Sequence, residues 1–514
     1  MTRIRLATIA FFVGFLLVGL LVFRDYGISW DEGNTREFGV MNINHVVPNV
    51  RALDSLRAEK GRDFERFGPA YEIFLVHVEK ALQLKSMRTV FFVRHLLTFL
   101  TFYLGVVIFY FFCRRRFAPG ITLLACVCLV LSPVLFAHGF YNTKDISFFT
   151  VFLAAMSTLD LLLEKPSWRL LALHGITTGL LIGMRVLGFF AVALTVAASL
   201  VRRPTLRTVL ALLAYGVVIS LVLPFVWPVL RVDALGIVQN ALVAVSKNEY
   251  TATTLFRGRQ LLGTELPWDY VPTWMLITTP YAITVLFLAG SVVTVAGLVR
   301  HTREFITGAR RRDLLVIAWF FLPVGGCVVL RPTLYDGWRH LFFVYPALIY
   351  LSAAGMESVL AFTLTRVDGR KHSRVPAALA AALLLSLSPV AWFMVRNHPF
   401  EHLYFNRFAG RDMAEAKQRY EFDYWGLSYR RLLEYIVRTD PSPSIRVQIP
   451  NLPGVLNSLM LPDADRSRIQ FVDPTGEGDY LATNYRFHPE AYPLQEVFSV
   501  RVGNAAAGSV FRLR

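Results

Sequence analysis

"LATIAFFVGFLLVGLLVFRDYGISWDEGNTREFG", residues 6–39, decides how the rest of the chain is read. Residues 6–23 carry no charge. A helix rising 1.5 Å per residue needs about 20 apolar residues to cross a bilayer. The run exceeds the roughly 7–15 residues of a secretion-signal core, and no small-x-small cleavage pattern follows. It reads as a retained first span. Asp31 and Glu32 then stand just beyond it, between an aromatic residue and a glycine. Charge beside a bilayer is costly, so its placement carries information.

Composition extends this reading to the whole chain. Of 514 residues, 55% are hydrophobic and 17% charged, where a soluble chain would carry roughly a quarter charged. Mean hydropathy is +0.47. The chain reads as an α-helical polytopic membrane protein. In that class the net charge of +17 points to Lys and Arg in cytoplasmic loops rather than to nucleic acid. Cys113, Cys126, Cys128 and Cys327 lie in or beside apolar runs and read as small buried residues.

About eleven apolar segments qualify as spans: 6–23, 90–113, 118–137, 146–163, 168–184, 186–201, 208–229, 272–299, 314–330, 341–362 and 375–395. The fifth and sixth form one stretch, too long for a single span, that "IGMRVLG" (182–188) divides at two glycines and Arg185. With a cytoplasmic N-terminus, the inner connections "CRRRF", "EKPSW", "VRRPTLR", "RHTREFITGARRRD" and "RVDGRKHSR" hold far more basic than acidic residues, while 24–89 balances the two. That asymmetry predicts that 24–89, 138–145, 230–271, 331–340 and everything after about 396 face outward. Residues 1–395 are then a transmembrane catalytic domain. Its first outer loop, 24–89, is expected to form amphipathic surface helices, with "PNVRALDSLRAEKGRDFERFG" (48–68) leading into "PAYEIFLVHVEKALQ" (69–83). Residues 396–514 read as a small outward α/β domain: a helix in "DYWGLSYRRLLEYIVRT", then strands in "IRVQI", "IQFV", "DYLATNY", "EVFSVRV" and "VFRLR".

Polar residues gather in four of the outward segments. Asp31 and Glu32 are sequence neighbours whose side chains diverge, so one does chemistry while the other orients it, or both serve a helix start. "HGFYNTKD" (138–145) carries His138, Asn142, Lys144 and Asp145, and is also ordinary turn chemistry. Arg185 either snorkels or offers an anion site. "RPTLYDGWRHLFFVYP" (331–346) carries Arg331, Asp336, Arg339 and His340. An Arg-His pair at the mouth of a span suits a phosphate clamp, and interfacial anchoring by Trp338 and Arg339 competes with that reading. One carboxylate with several cations suffices for a reaction in which a phosphate departs. A base deprotonates an acceptor hydroxyl and fixed positive charge stabilises the leaving group.

These motifs resemble a family. "ISWDEG", "FYNTKDISFF" (140–149) and "GWRHLFFVYP" (337–346) are similar, in that order, to motifs of membrane glycosyltransferases of the C-type (GT-C) fold. Protein O-mannosyltransferases and lipid A aminoarabinose transferases are its best known members. "NHPFEHLYFNRFAG" (397–410) and "FDYWGLSYRRLLEYI" (422–436) resemble bacterial proteins of glycosyltransferase family 39. The resemblance implies inverting transfer of a sugar from a polyprenyl-phosphate donor to a lipid, glycan or protein hydroxyl, in the bacterial inner membrane and on its outer face. It implies Asp31 as base with Glu32 in support. Asp145 then orients the acceptor or holds a divalent metal ion, and no other cofactor is implied. Lys144, Arg185, Arg339 and His340 would bind the donor phosphate. A departure is the absence of a β-trefoil-like repeat, which argues against protein O-mannosylation. Rival readings are an envelope glycan polymerase or ligase, which would need a longer acceptor groove, and a solute transporter, whose polar residues belong nearer the midplane.

Overall fold

The computed structural model describes every residue except 1, 45–52, 56, 59–66, 247–252, 309, 368–371, 373, 474 and 475. The chain folds as an α-helical membrane protein. Among the described residues eight helices are long and apolar enough to cross a membrane, or nine if a bent pair counts as one span. In chain order the helices that matter here are α1 (Thr2–Val22), α2 (Trp30–Asn44), α3 (Ala70–Ala81), α4 (Met87–Arg114), α5 (Pro119–Val130), α6 (Pro133–Tyr141), α7 (Thr143–Glu164), α8 (Trp168–Ile182), α9 (Phe189–Arg202) and α10 (Leu206–Val226). They continue with α11 (Leu230–Ser246), α12 (Tyr270–Thr278), α13 (Tyr281–Arg300), α14 (Arg311–Leu330), α15 (Tyr345–Leu364), α16 (Val375–Arg396) and α17 (Tyr429–Thr439).

The structure departs from the expected segments where proline or polar caps intervene. The expected span 118–137 is α5 and α6, bent by 67°. Pro133 starts the second piece, and proline's fixed φ suits a first helical turn. The expected span 272–299 is α12 and α13. Thr279 is extended ahead of Pro280, as a residue before proline prefers. The doubtful pair does divide at Gly183–Gly188, into helices of 15 and 14 residues, shorter than a typical span. The expected turn 138–145 is largely helical: α6 runs through His138 to Tyr141, and Asn142 alone separates it from α7. Loop 230–271 holds α11 and a hairpin, β1 (Thr253–Phe256) with β2 (Arg259–Leu262), that the apolar pattern does not reveal. Within 24–89, α2 and α3 are helical, whereas much of 48–68 lies outside the described residues.

Without a hydrophobic drive between helices in lipid, small residues at their contacts let backbones approach closely. A Cβ on Gly290 of α13 would lie 1.8 Å from the carbonyl oxygen of Leu351, and one on Gly355 of α15 would lie 2.1 Å from that of Leu286. The two backbones therefore touch, and alanine at either glycine would force them apart.

The chain ends in a five-stranded mixed sheet. Its order is β4 (Ile469–Val472), β3 (Ile445–Gln448), β5 (Tyr480–Thr483), β7 (Ala505–Arg512), β6 (Gln495–Val502). β3 pairs in parallel with β4 and β5, and β7 runs antiparallel to β5 and β6. Each of the five sequence strands falls on one of these. Helix α17 packs Leu432, Leu433 and Ile436 against the sheet, and Tyr435 stacks on Phe498 with centroids 4.4 Å apart.

The sheet region is stitched to the loop after α1. Asn457 accepts a hydrogen bond from the backbone N–H of Ile28 at 2.9 Å and donates to its carbonyl at 2.8 Å. Tyr26 donates to Glu401 Oε2 at 3.0 Å.

Candidate active site

Four segments distant in sequence meet around one guanidinium. Arg339 opens a short 3-10 helix, Arg339–Val344, that leads into α15. Its Nη1 donates to Asp31 Oδ2 at 3.0 Å and to Asp145 Oδ2 at 3.3 Å, and its Nη2 to Asp336 Oδ2 at 3.2 Å. Arg185 binds the other oxygen of Asp145. Aromatic rings hold the guanidinium in place: its carbon lies 4.6 Å from the centroid of Trp425 and 5.2 Å from that of Tyr335.

Local sequence explains each orientation. Asp31 and Glu32 occupy the first turn of α2, where acids favour the helix dipole. Glu32 reaches back to the backbone N–H of Ser29 at 2.7 Å, one half of a capping box, and its other oxygen meets His95 Nε2 at 3.0 Å. It therefore turns away from the Arg339 cluster, while Asp31 turns into it. Asn142 caps α7 by accepting from the N–H of Asp145 at 2.9 Å and donates to Asp145 Oδ2 at 2.7 Å. His138 holds Asn142 in turn, with Nδ1 and Nδ2 2.8 Å apart. Asp336 and Gly337 both have positive φ, 55° and 72°, a bend that sets Asp336 back onto Arg339. Aspartate is among the residues that tolerate this conformation.

Access separates the acids. The Asp31 side chain is 30% exposed, that of Asp145 2% and that of Asp336 6%. Of the three, Asp31 alone can meet an incoming hydroxyl without rearrangement. Asp145 spends its oxygens on Arg185, Arg339 and Asn142. That donor set suits an ion pair rather than a divalent metal, and among the described residues no three His, Cys or carboxylate side chains are placed so that they could hold a metal ion.

Lys144 faces a neighbouring cleft of about 360 Å³, lined also by Phe38, Phe67, Tyr71, Met184 and Glu72. Its ammonium lies 3.6 Å from the Phe67 centroid and forms no ion pair among the described residues. His340 sits edge-on to Tyr335, 4.9 Å between centroids. It makes no hydrogen bond to the cluster among the described residues, and its Nδ1 is buried without a partner there.

Asp336 and Arg486 belong to this arrangement, although the sequence named Asp336 only as a member of its polar segment, with no role, and did not name Arg486. "YDGW" signals only a turn, and Arg486 is one arginine among many in a loop. Glu421 lies close by and lines a second cleft together with Arg339. Burial pushes its carboxyl from 4.5 up to about 8, with Arg486 opposing and Asp336 reinforcing the shift.

A family model described as dolichyl-phosphate-mannose-protein mannosyltransferase matches residues 80–227, a segment that includes Lys144, Asp145 and Arg185. No curated protein sequence matches the chain. Among solved structures, the chain is similar to ArnT from Cupriavidus metallidurans in the apo state, at 13% identity and TM-score 0.51 over 98% of both chains. The undecaprenyl phosphate-bound form of ArnT aligns at 15% identity and TM-score 0.48 over 97% of both chains. The apo oligosaccharyltransferase of Archaeoglobus fulgidus aligns at 11% and 0.49, over 90% of this chain and 65% of that one. The assignment rests on the first of these, whose match runs nearly end to end: this chain has the fold of the C-type (GT-C) membrane glycosyltransferases.

Proposed function

We propose that the protein transfers a sugar, with inversion, from a polyprenyl-phosphate donor to an acceptor hydroxyl on the outer face of the inner membrane. The observation that carries this reading is the convergence of Asp31, Asp145 and Asp336 on Arg339, with Asp31 alone substantially accessible. Asp31 takes the acceptor proton. The acceptor oxygen bonds to the anomeric carbon as the bond from that carbon to the phosphate oxygen breaks. The electron pair leaves on the phosphate, where Arg339, Arg185 and Lys144 stabilise it. Asp145 holds Arg185 and Arg339 in register, and Glu32 fixes the loop that aims Asp31. The apolar lining beside Lys144 suits the first units of a prenyl chain.

The test is mass spectrometry of envelope glycolipids and glycans from cells with the protein, without it, and with Asp31→Asn in its place. The expected result is one glycosylated species that disappears on deletion and is not restored by Asp31→Asn. An envelope identical in all three strains rejects the proposal.

A further inference from the structure

Arg486 follows β5 in the C-terminal region, yet its side chain is only 3% exposed because it inserts beside the Arg339 cluster. Its guanidinium lies 4.7 Å from the centroid of Trp30, the residue before Asp31. It donates to Asp336 Oδ1 at 2.7 Å and to the carbonyl of Tyr424. Asn484, two residues earlier, anchors the segment by donating to the carbonyl of Asp423 at 2.7 Å. Charges thus alternate along one row, buried except at Asp31: Arg486, Asp336, Arg339, then Asp31 with Asp145, then Arg185.

The row poses an electrostatic problem. Three carboxylates surround Arg339, and an anion approaching it meets their repulsion. Asp31 and Asp145 are needed for proton transfer and for holding Arg185. Asp336 has neither task; it already engages Arg339 at 3.2 Å, and unopposed its charge would also repel a phosphate. A buried charge left without its partner is strongly unfavourable. An arginine on its other oxygen offsets that charge.

We propose that Arg486 is a positioning residue that offsets the charge of Asp336, so that Arg339, while still holding Asp336, presents net positive charge to the donor phosphate and the C-terminal region becomes part of the active site. This rests on the function proposed above, in which Arg339 and Lys144 meet that phosphate.

The experiment measures the affinity of the purified full-length protein for bare undecaprenyl phosphate, with melting temperatures recorded alongside. Arg486→Gln, which keeps a hydrogen-bond donor but loses the charge, is expected to weaken binding about tenfold. Arg486→Lys should stay within about threefold of wild type, because the charge remains. Adding Asp336→Asn to Arg486→Gln should restore affinity to about the same margin, a rescue that a merely structural tether would not show. Asp336→Asn alone should bind at least as tightly as wild type, and this holds the test open if Arg486→Gln does not fold. The inference is overturned if Arg486→Lys is as weak as Arg486→Gln, if the double variant is not rescued, or if Asp336→Asn alone loses affinity. Failure of the wild type to bind undecaprenyl phosphate, or binding unaffected by Lys144→Met, would instead reject the proposed function.

Discussion

Helix α7 carries a buried aspartate–arginine cluster at each end, and the two clusters differ in kind. Asp145, in its first turn, joins the Arg339 assembly. Asp160 lies fifteen residues on, about 22 Å along the helix axis. There it accepts two hydrogen bonds from Arg312, at 2.9 and 2.7 Å, with Arg115 at 3.0 Å. Asp313, on α14, is met by Tyr350 at 2.6 Å, Arg310 at 3.1 Å and Arg116 at 3.4 Å. At that end Asp160 and Asp313 are each closed in by two arginines, with Arg115 and Arg116 shared at the rim by Glu164 and Glu357, and the cluster joins α4, α7, α14 and α15. At the Arg339 end one guanidinium serves three acids, Asp31 stays reachable, and Lys144, in no ion pair among the described residues, stands beside a cleft. The contrast teaches that burial and charge alone do not mark a site. Incomplete pairing beside open space does.

This contrast can be broken by mutation. The largest expected effect is on turnover: Asp31→Asn should lower the transfer rate by about 10²–10⁴-fold while the melting temperature stays near that of wild type, as measured on purified protein. A comparable stability loss in place of the rate loss would make the two clusters alike. Asp160→Asn should do the reverse. It leaves Arg312 only a distant pairing with Glu164 at 4.0 Å, at up to roughly 3–5 kcal/mol of stability, and should leave turnover per folded molecule unchanged, read from denaturation and active-site-normalised rates. Lys144→Met should raise the donor KM about tenfold, since a charge-assisted contact contributes about 1.5 kcal/mol or more, with smaller change in the acceptor KM.

The smallest effect sharpens the comparison through pH. Glu421 is raised to about 8 by burial, so its folded-state value lies above its unfolded value. Its contribution is then most favourable below about pH 4.5 and is lost as pH rises through about 8. The melting temperature of Glu421→Gln should accordingly gain on wild type between pH 5 and pH 8. A difference independent of pH would show that Glu421 is charged in the fold.

Much of this was legible in the sequence, for identifiable reasons. Spans follow from length and apolarity, and all five C-terminal strands follow from alternation bounded by turn residues. The division at Gly183–Gly188 was readable because Arg185 sits between two glycines. The bend in 118–137 was less visible, since Pro133 breaks no apolar pattern, and the helical state of His138 was hidden because polar residues imitate a turn. At the site, the motif segments named Asp31, Asp145, Arg185 and Arg339, which the fold brings into one contact network. Glu32 was named with them and faces the other way, because adjacent positions on a helix point about 100° apart. Arg486 carried no signal at all, since its contact with Asp336 spans 150 positions.

Asn457 gives the loop bearing Asp31 a partner for both backbone groups of Ile28, as a neighbouring strand would. Removing the chain from position 457 onward would therefore take away one of that loop's anchors, from more than four hundred residues away in sequence. Residues far along the chain thus brace the loop that carries Asp31, and shortened versions lacking them should hold that acid less firmly.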